Sequence, residues 1–342
     1  MDLGTSTVAM RLVDLSSGQM VATQSFENPQ RFGGSDIMAR IQYDTNHSGR
    51  LLQRVLLGYL TSAIETFAVD ADSIYEIVIA GNPTMRDLFF GLEVESIGCK
   101  PYRSRTEQEM LDGNRSDTTL TLPGAKLRLP MHPKGRVYGL PLIGCHVGAD
   151  AAACLLAIGM SGEDRTIALM DIGTNTELVI GNQDRILATS CPAGPAFEGG
   201  ELSCGMPAVD GAVERVAIGE GGVPDLRVIG GEVAEGVCGS GLIDLLSELL
   251  RTDRINAKGR FQDGSDHFSV HSPNRVSLTE KDISQLAQAK GANMAGLRIV
   301  LETFGIDAGD LDVFYLAGGF ARHIDLDAAM RIGLIPTLPA GR

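Results

Sequence analysis

The sequence predicts an α/β fold made of two similar lobes, residues 1–160 and 161–342, and three observations predict it. A stretch of chain recurs at one constant offset: Glu65-Thr66-Phe67 matches Glu302-Thr303-Phe304, Asp70-Ala71 matches Asp307-Ala308, and Ala80-Gly81 matches Ala317-Gly318. Asp2-Leu3-Gly4-Thr5-Ser6-Thr7 is echoed by Asp171-Ile172-Gly173-Thr174-Asn175-Thr176. The apolar runs Ile77-Val78-Ile79 and Phe314-Tyr315-Leu316 are short and end in small residues, as buried parallel strands do. Internal similarity of this kind marks duplicated architecture, and 342 residues are enough for two cores.

Each lobe opens on a hairpin. After the first Asp-x-Gly-Thr, Val8–Val13 reads as the return strand, with a turn signal at Ser17-Gly18; after the second, Glu177–Ile180 returns and Gly181-Asn182 turns. A helix end, a short Asp-containing turn and a strand ending in Ala-Gly follow in both lobes. A looser third pair is expected in glycine-started helices, Gly148-Ala149-Asp150 through Ile158 and Gly239-Ser240-Gly241 through Leu250. Between the matched parts, about Gly98 to Arg136 is rich in Arg, Asp, Pro and Gly and predicts an inserted subdomain. Asp253 to Ser277 reads as polar loop, with His267 and His271 solvated within it. Asp2-Leu3-Gly4-Thr5 resembles a turn whose incoming strand is cut short, which predicts sequence upstream of Met1. The end, from Ile335 to Arg342, stops without a closing helix.

Composition excludes several classes. Asp+Glu 43 against Lys+Arg 29 gives a net charge of −14, which disfavours binding to a nucleic-acid backbone. No apolar run reaches the roughly 18 residues of a membrane helix, and no basic segment followed by an apolar one suggests a signal peptide. Cys99, Cys145, Cys154, Cys191, Cys204 and Cys238 form no C-x-x-C pair, so they read as buried free thiols in a reducing, cytoplasmic compartment.

The turns carry the chemistry. An Asp-x-Gly-Thr hairpin crowds backbone N–H groups around one small space, and glycine permits the close approach a phosphate needs. Gly4, Thr5 and Ser6 in one lobe and Gly173, Thr174 and Asn175 in the other are candidate phosphate contacts, the hydroxyls adding donors. Asp2 and Asp171 would flank Mg²⁺ and an attacking water; alone, each reads equally as an Asx-turn carboxylate. Two such hairpins would clamp a nucleotide. In Ala317-Gly318-Gly319-Phe320, two glycines let backbone lie flat against adenosine, or let helix and strand pack closely. Ala80-Gly81-Asn82-Pro83 holds the same place in the first lobe, where Asn82 and Pro83 weaken the case for a nucleotide contact. Asp150, opening a helix, is a base, a water-positioner or an N-cap residue. Glu198, in a Gly/Pro-rich loop, lines the cleft or braces a surface loop.

The residues resemble a known superfamily. Two D-x-G-T/S hairpins, glycine-started helices and a late A-G-G strand end are similar to the duplicated, ribonuclease-H-like fold of actin, the sugar kinases and the heat-shock chaperone ATPases. Within it the resemblance is to the ATPase domain of the reductive activators of corrinoid proteins. It is carried by Asp2–Ala9, Asn28-Pro29-Gln30 with Asp36–Ile41, Gly81–Met85, Gly139–Ala153, Asp171–Glu177, Cys191–Gly200, Val237–Asp244, Asp282–Gly291 and Leu316–Asp325. Cys238-Gly239-Ser240-Gly241-Leu242-Ile243-Asp244 and Ala193-Gly194-Pro195-Ala196-Phe197-Glu198-Gly199 are the specific stretches.

The resemblance implies ATP and Mg²⁺ as cofactors and a corrinoid protein of a methyltransferase system as partner, reduced from Co(II) to Co(I). It implies Asp2, Asp150 and Asp171 in catalysis, and Glu198, Gly239, Ser240, Gly318, Gly319 and Phe320 beside the hairpins in binding nucleotide. Members also carry a ferredoxin-like iron–sulfur domain, commonly N-terminal, for which no cysteine cluster stands here. The alternatives are an acid or sugar kinase, an actin-like assembly module, and a homodimer holding a cluster between subunits through Cys191, Cys204 or Cys238.

Overall fold

The computed structural model describes residues 1–219, 221–231, 233–319 and 321–338. It divides into two compact units, Met1–Gly159 and Met160–Arg342. In the first, β1 (Asp2–Leu3), β2 (Thr7–Val13) and β3 (Met20–Glu27) form an antiparallel meander. Strands β4 (Glu76–Gly81), β5 (Leu120–Pro123) and β6 (Arg136–Gly139) extend it to six, in the order β3-β2-β1-β4-β6-β5, with β1, β4 and β6 parallel. Helices α1 (Ile37–Asn46) and α2 (Leu51–Glu65) join β3 to β4. The buried Leu52, Leu56, Leu60, Ala63 and Ile64 of α2 form one apolar stripe, which joins the core that also holds Leu3, Val8 and Ile79 of the sheet.

Helix α3 (Pro83–Phe90) starts where β4 stops, because Asn82 caps it and Pro83 fits the first turn without needing its absent N–H. Helices α4 (Glu95–Gly98), α5 (Arg105–Leu111) and α6 (Gly124–Leu127) lie in or beside the unmatched segment, whose strand β5 adds to the sheet edge. Helix α7 (Ala149–Ile158) closes the unit. The segment is fastened by a buried pair on α3: Arg86 contacts Asp87 at 2.8 Å and donates to Thr118 O, Leu140 O and Thr106 Oγ1, while Ser104 Oγ donates to Asp87.

The second unit repeats the plan. Strands β7 (Ile167–Asp171), β8 (Asn175–Gly181) and β9 (Ile186–Pro192) form its meander. An insertion follows. It carries β10 (Ala212–Ile218), β11 (Pro224–Val228) and β12 (Gly236–Val237) as a separate sheet, then helix α8 (Gly239–Arg251) and the hairpin β13 (His267–His271) and β14 (Val276–Thr279). Helix α9 (Glu280–Phe304) starts at a capping box between Thr279 and Asp282 and packs on β8 and β9. Strand β15 (Val313–Ala317) then pairs with β7 in parallel, giving the order β15-β7-β8-β9, and α10 (Leu326–Arg331) follows.

The repeat holds in the meander and in the helix, turn and strand that follow it. Helices α2 and α9 lead into short 3₁₀ turns, Ala71–Ser73 and Ala308–Asp310, and then into β4 and β15. The register agrees too: Asp2 pairs with Ala80 across β1 and β4, and Asp171 pairs with Ala317 across β7 and β15.

Three expectations are corrected. Helices α7 and α8 are not equivalents, because α7 follows β4 and β6 whereas α8 precedes β15 and packs on the separate sheet of β10. Glycine recurs at both starts for a local reason. A Cβ on Gly148 would lie 2.7 Å from Gly81 O, and one on Gly241 2.2 Å from Val213 O. His267 and His271 bound a strand, not a loop; its Phe268 and Val270 face inward on the period-2 alternation of a half-buried strand. The expectation of buried free thiols holds for Cys191, Cys204 and Cys238 but not for Cys154, which is half-buried, or for Cys99 and Cys145, which are exposed. Among the described residues no helix is long and apolar enough to cross a membrane.

Candidate functional site

Asp171 ends β7, half-buried, with Ala317 beside it on β15 and Glu177 opposite it on β8. Glu177 is buried and accepts a hydrogen bond from Ser190 Oγ at 3.0 Å. Directly opposed residues in antiparallel strands bring their side chains within about 5 Å at Cβ, so two carboxylates share this strand end. Gly318 follows β15 at φ +106°, and a Cβ there would lie 2.4 Å from Ile172 O and 3.3 Å from Asp171 Oδ1. Only glycine permits that approach. Gly81 does the same in the first unit, where a Cβ would lie 2.8 Å from Leu3 O. The conserved plan of the two halves therefore includes the pressure of an Ala-Gly strand end on the residue after the hairpin aspartate. Among the described residues nothing lies within 4 Å of a Cβ built on Gly319, and Phe320 is outside them.

The hairpin after Asp171 is tied to the Gly/Pro-rich loop. Asn175 pairs with Pro192, and Gly194 N donates to Thr174 O at 2.9 Å. Thr174 N and Thr174 Oγ1 donate to the Glu198 carboxylate at 2.8 and 3.0 Å. A Cβ on Gly173 would lie 3.4 Å from the same carboxylate. Both donors that the motif would turn to a phosphate thus hold an anion already. Charge-assisted bonds of this kind are the stronger class.

Gly239 and Ser240 sit one layer away. Gly199 abuts Gly205 and Met206, Gly205 bridges to Val237, and Val237 leads into α8. The Ser240 hydroxyl donates to Glu214 O at 3.0 Å, so it serves the junction of α8 with β10. Cys191, Cys204 and Cys238 lie inside this same unit, and burial pushes the Cys204 thiol up to about 12. Thiols so enclosed do not suit a cluster shared across a subunit boundary.

In the first unit the hairpin is held from behind by its carbonyl groups. Asn28 Nδ2 donates to Gly4 O at 2.8 Å, Arg40 Nη2 to Thr5 O at 2.7 Å, and Asn28 N to Ser6 O at 2.8 Å. Asn82 Nδ2 donates to Thr5 Oγ1 at 3.0 Å while its Oδ1 caps α3. The neighbouring stretches 28–30 and 36–41 and the distant 81–85 converge here. Asp150 joins them: a Cβ on Gly148 would lie 2.5 Å from Asn82 Cα and 2.7 Å from Asp150 Oδ1. Asp150 occupies the first turn of α7 and accepts from Ala151 N at 2.8 Å, the N-cap place itself belonging to Gly148. Asp2 keeps an exposed flank, yet the atoms crowded around its carboxyl push it upward, with the Met1 ammonium and Arg11 opposing.

The structure therefore gathers Asp171, Gly173, Thr174, Asn175, Glu198 and Gly318 in one unit, and Asp2, Gly4, Thr5, Ser6 and Asp150 in the other. Sequence reasoning missed Asn28, Arg40 and Glu177. The signal for Glu177 was a charge at the head of the apolar run Leu178-Val179-Ile180. For Asn28 and Arg40 it was only their place in the resembling stretches.

Comparison with known proteins adds to this geometry. A family model described as the RACo middle region matches residues 1–163, and one described as the C-terminal domain of RACo, the ASKHA domain, matches 165–342. The chain is 31% identical over 367 residues to the corrinoid activation enzyme RamQ of Eubacterium limosum, covering 98% of this chain and 60% of that protein. It is 25% identical over 370 residues to a Co(II) methylated amine-specific corrinoid protein reductase of Methanosarcina barkeri, covering 98% and 65%. A solved reductive activator for a corrinoid, iron–sulfur protein superposes with a TM-score of 0.86 at 33% identity, covering 98% of this chain and 56% of that one. The chain thus spans roughly three fifths of the length of its relatives.

Proposed function

This chain belongs to the RACo family, with an ASKHA nucleotide-binding fold, and on that premise we propose that it uses Mg²⁺ and ATP to drive reductive activation of a corrinoid protein. In that activity Co(II) takes one electron from a low-potential iron–sulfur donor and becomes Co(I), which restores a methyltransferase corrinoid after accidental oxidation. A one-electron equilibrium shifts tenfold per about 59 mV, so an uphill gap of several such steps leaves almost no product without an energy input. Nucleotide binding or hydrolysis supplies that input when it favours the conformation that docks and reduces the corrinoid.

The observation that carries the nucleotide part is the Thr174–Glu198 contact. The donor set already accommodates a carboxylate, so its chemistry suits a phosphate. Asp171, with Glu177 opposite, would hold Mg²⁺ through water, and the metal would neutralise phosphate charge. Gly318 and Gly319 would lie against the nucleoside, and Asp2 and Asp150 would orient water in the first unit. A phosphate that takes the donors of Thr174 displaces Glu198 and frees the loop that carries it.

Calorimetric titration with Mg²⁺–ATP tests this reading. Saturable binding, with hydrolysis stimulated by a Co(II) corrinoid protein, is the expected result; a folded chain that binds no ATP would overturn it. Binding without any corrinoid response would favour a small-molecule kinase. Removing the internal competitor by Glu198→Gln is expected to tighten Mg²⁺–ATP by about three- to tenfold, as loss of one charge-assisted bond implies. Weaker binding would instead assign Glu198 to holding Thr174 in place.

A further inference from the structure

The first unit buries two arginines on its helices, and they differ in one respect. Arg86, fully buried on α3, has the Asp87 carboxylate at 2.8 Å. Arg40, 1% exposed on α1, donates among the described residues only to neutral groups: Thr5 O at 2.7 Å, Gly34 O at 3.0 Å and Met85 Sδ at 3.1 Å. Of the two acidic residues four positions away, Asp36 spends Oδ1 on capping α1 through Ala39 N and acts on Arg40 only through space, and Asp44 has Arg50 as its acting charge. Burial lowers the Arg40 guanidinium to about 10, so it remains charged at neutral pH. A buried charge without an ionic partner is costly, and apolar side chains of similar size fill such places more cheaply. Packing therefore does not account for an arginine here.

Its position does. Arg40 lies directly behind the first hairpin and grips the carbonyl of Thr5. In a planar trans peptide the C=O and the following N–H point in opposite directions. With Thr5 O engaged by Arg40, the N–H of the same Thr5–Ser6 peptide points away from the guanidinium. A cation bonded to Thr5 O polarises the Thr5–Ser6 peptide, and hydrogen-bonded dipoles in series strengthen one another.

We propose that Arg40 is a positioning residue for anion binding, the fixed positive charge behind the first hairpin, which acts through the Thr5–Ser6 peptide on a nucleotide phosphate in front of it. The proposal rests on the reading of this chain as an ATP-binding protein and adds the source of phosphate selectivity in the first unit. Arg40 touches no phosphate itself. Asn28 and Asn82 set the shape of the hairpin; Arg40 sets its potential. Because that potential acts on charge, the benefit grows with the number of phosphates and vanishes for the nucleoside.

The test compares adenosine, ADP and ATP on wild type, Arg40→Gln and Arg40→Lys, each with circular dichroism to establish folding. Arg40→Gln is expected to weaken ATP about tenfold or more, ADP less, and adenosine by less than about twofold. Arg40→Lys, which keeps the charge, is expected to restore most of the preference for ATP over adenosine. Equal losses for all three ligands would make Arg40 a merely structural residue and overturn the proposal. Wild-type protein gives an independent readout: the ¹⁵N resonance of Arg40 Nε is expected to move with ATP and with inorganic triphosphate and to stay still with adenosine. An unmoved resonance at saturating ATP overturns the proposal even if the variants do not fold. Failure of wild type to bind ATP at all would instead remove the functional reading beneath it.

Discussion

Asp171→Asn is expected to slow ATP hydrolysis by about 100- to 1,000-fold, the range for losing one preorganised electrostatic group from a phosphoryl-transfer site. The change keeps size and shape, so the strand pairs of Asp171 with Ala317 and Glu177 should persist, and stability should stay within about 1 kcal/mol. What is lost is the negative charge that would hold a water-coordinated Mg²⁺ at the end of β7. Affinity for ATP should therefore fall more steeply with Mg²⁺ present than in excess chelator. Steady-state hydrolysis and a melting curve decide the matter. Unchanged hydrolysis in a folded variant would move the metal role to the neighbouring Glu177, buried and opposite on β8.

The second large effect is on stability. Arg86→Met is expected to destabilise the first unit by about 3–5 kcal/mol, the cost of leaving one member of a buried ion pair unpartnered. Arg86 and Asp87 have fully buried side chains. Removing the guanidinium leaves Asp87 with Ser104 Oγ and strips donors from Thr118 O, Leu140 O and Thr106 Oγ1. Burial already pushes the Asp87 carboxyl up, with Arg86 opposing, so the variant raises it further. A group with a raised folded pKa favours the native state at low pH and loses that advantage as pH climbs through the folded value. The penalty of Arg86→Met should accordingly be smaller at pH 4 than at pH 8. Adding Asp87→Leu should recover a large part of the loss. Denaturant unfolding of the three variants at both pH values measures this; a loss independent of pH would mean that packing dominates over the stranded charge.

Much of the architecture was legible because it rests on local rules. Alternation, short apolar runs and Asn82-Pro83 at a helix start all follow from neighbours in the chain. The repeat could be read for the same reason: Asp70 and Asp307 each begin a 3₁₀ turn, and each turn leads into a strand ending in Ala-Gly. Local rules also misled. Gly148 and Gly241 looked like one motif because each begins a helix against a strand, although the helices hold different places in the topology. The alternating pattern at His267–His271 was hidden by the polar residues around it.

The sequence by itself determined two related halves, their paired Asp-x-Gly-Thr hairpins and the Ala-Gly strand ends, because short-range sterics and hydrophobic periodicity encode them. Tertiary structure alone decided that Glu198 occupies the donors of Thr174, that Glu177 stands opposite Asp171, and that Asn28, Arg40 and Asn82 meet behind Gly4–Ser6. Each of those contacts joins residues on different elements. Whether a carboxylate meets a hydroxyl, or a buried guanidinium meets a carbonyl, depends on strand register and helix packing, which no residue's immediate neighbours specify.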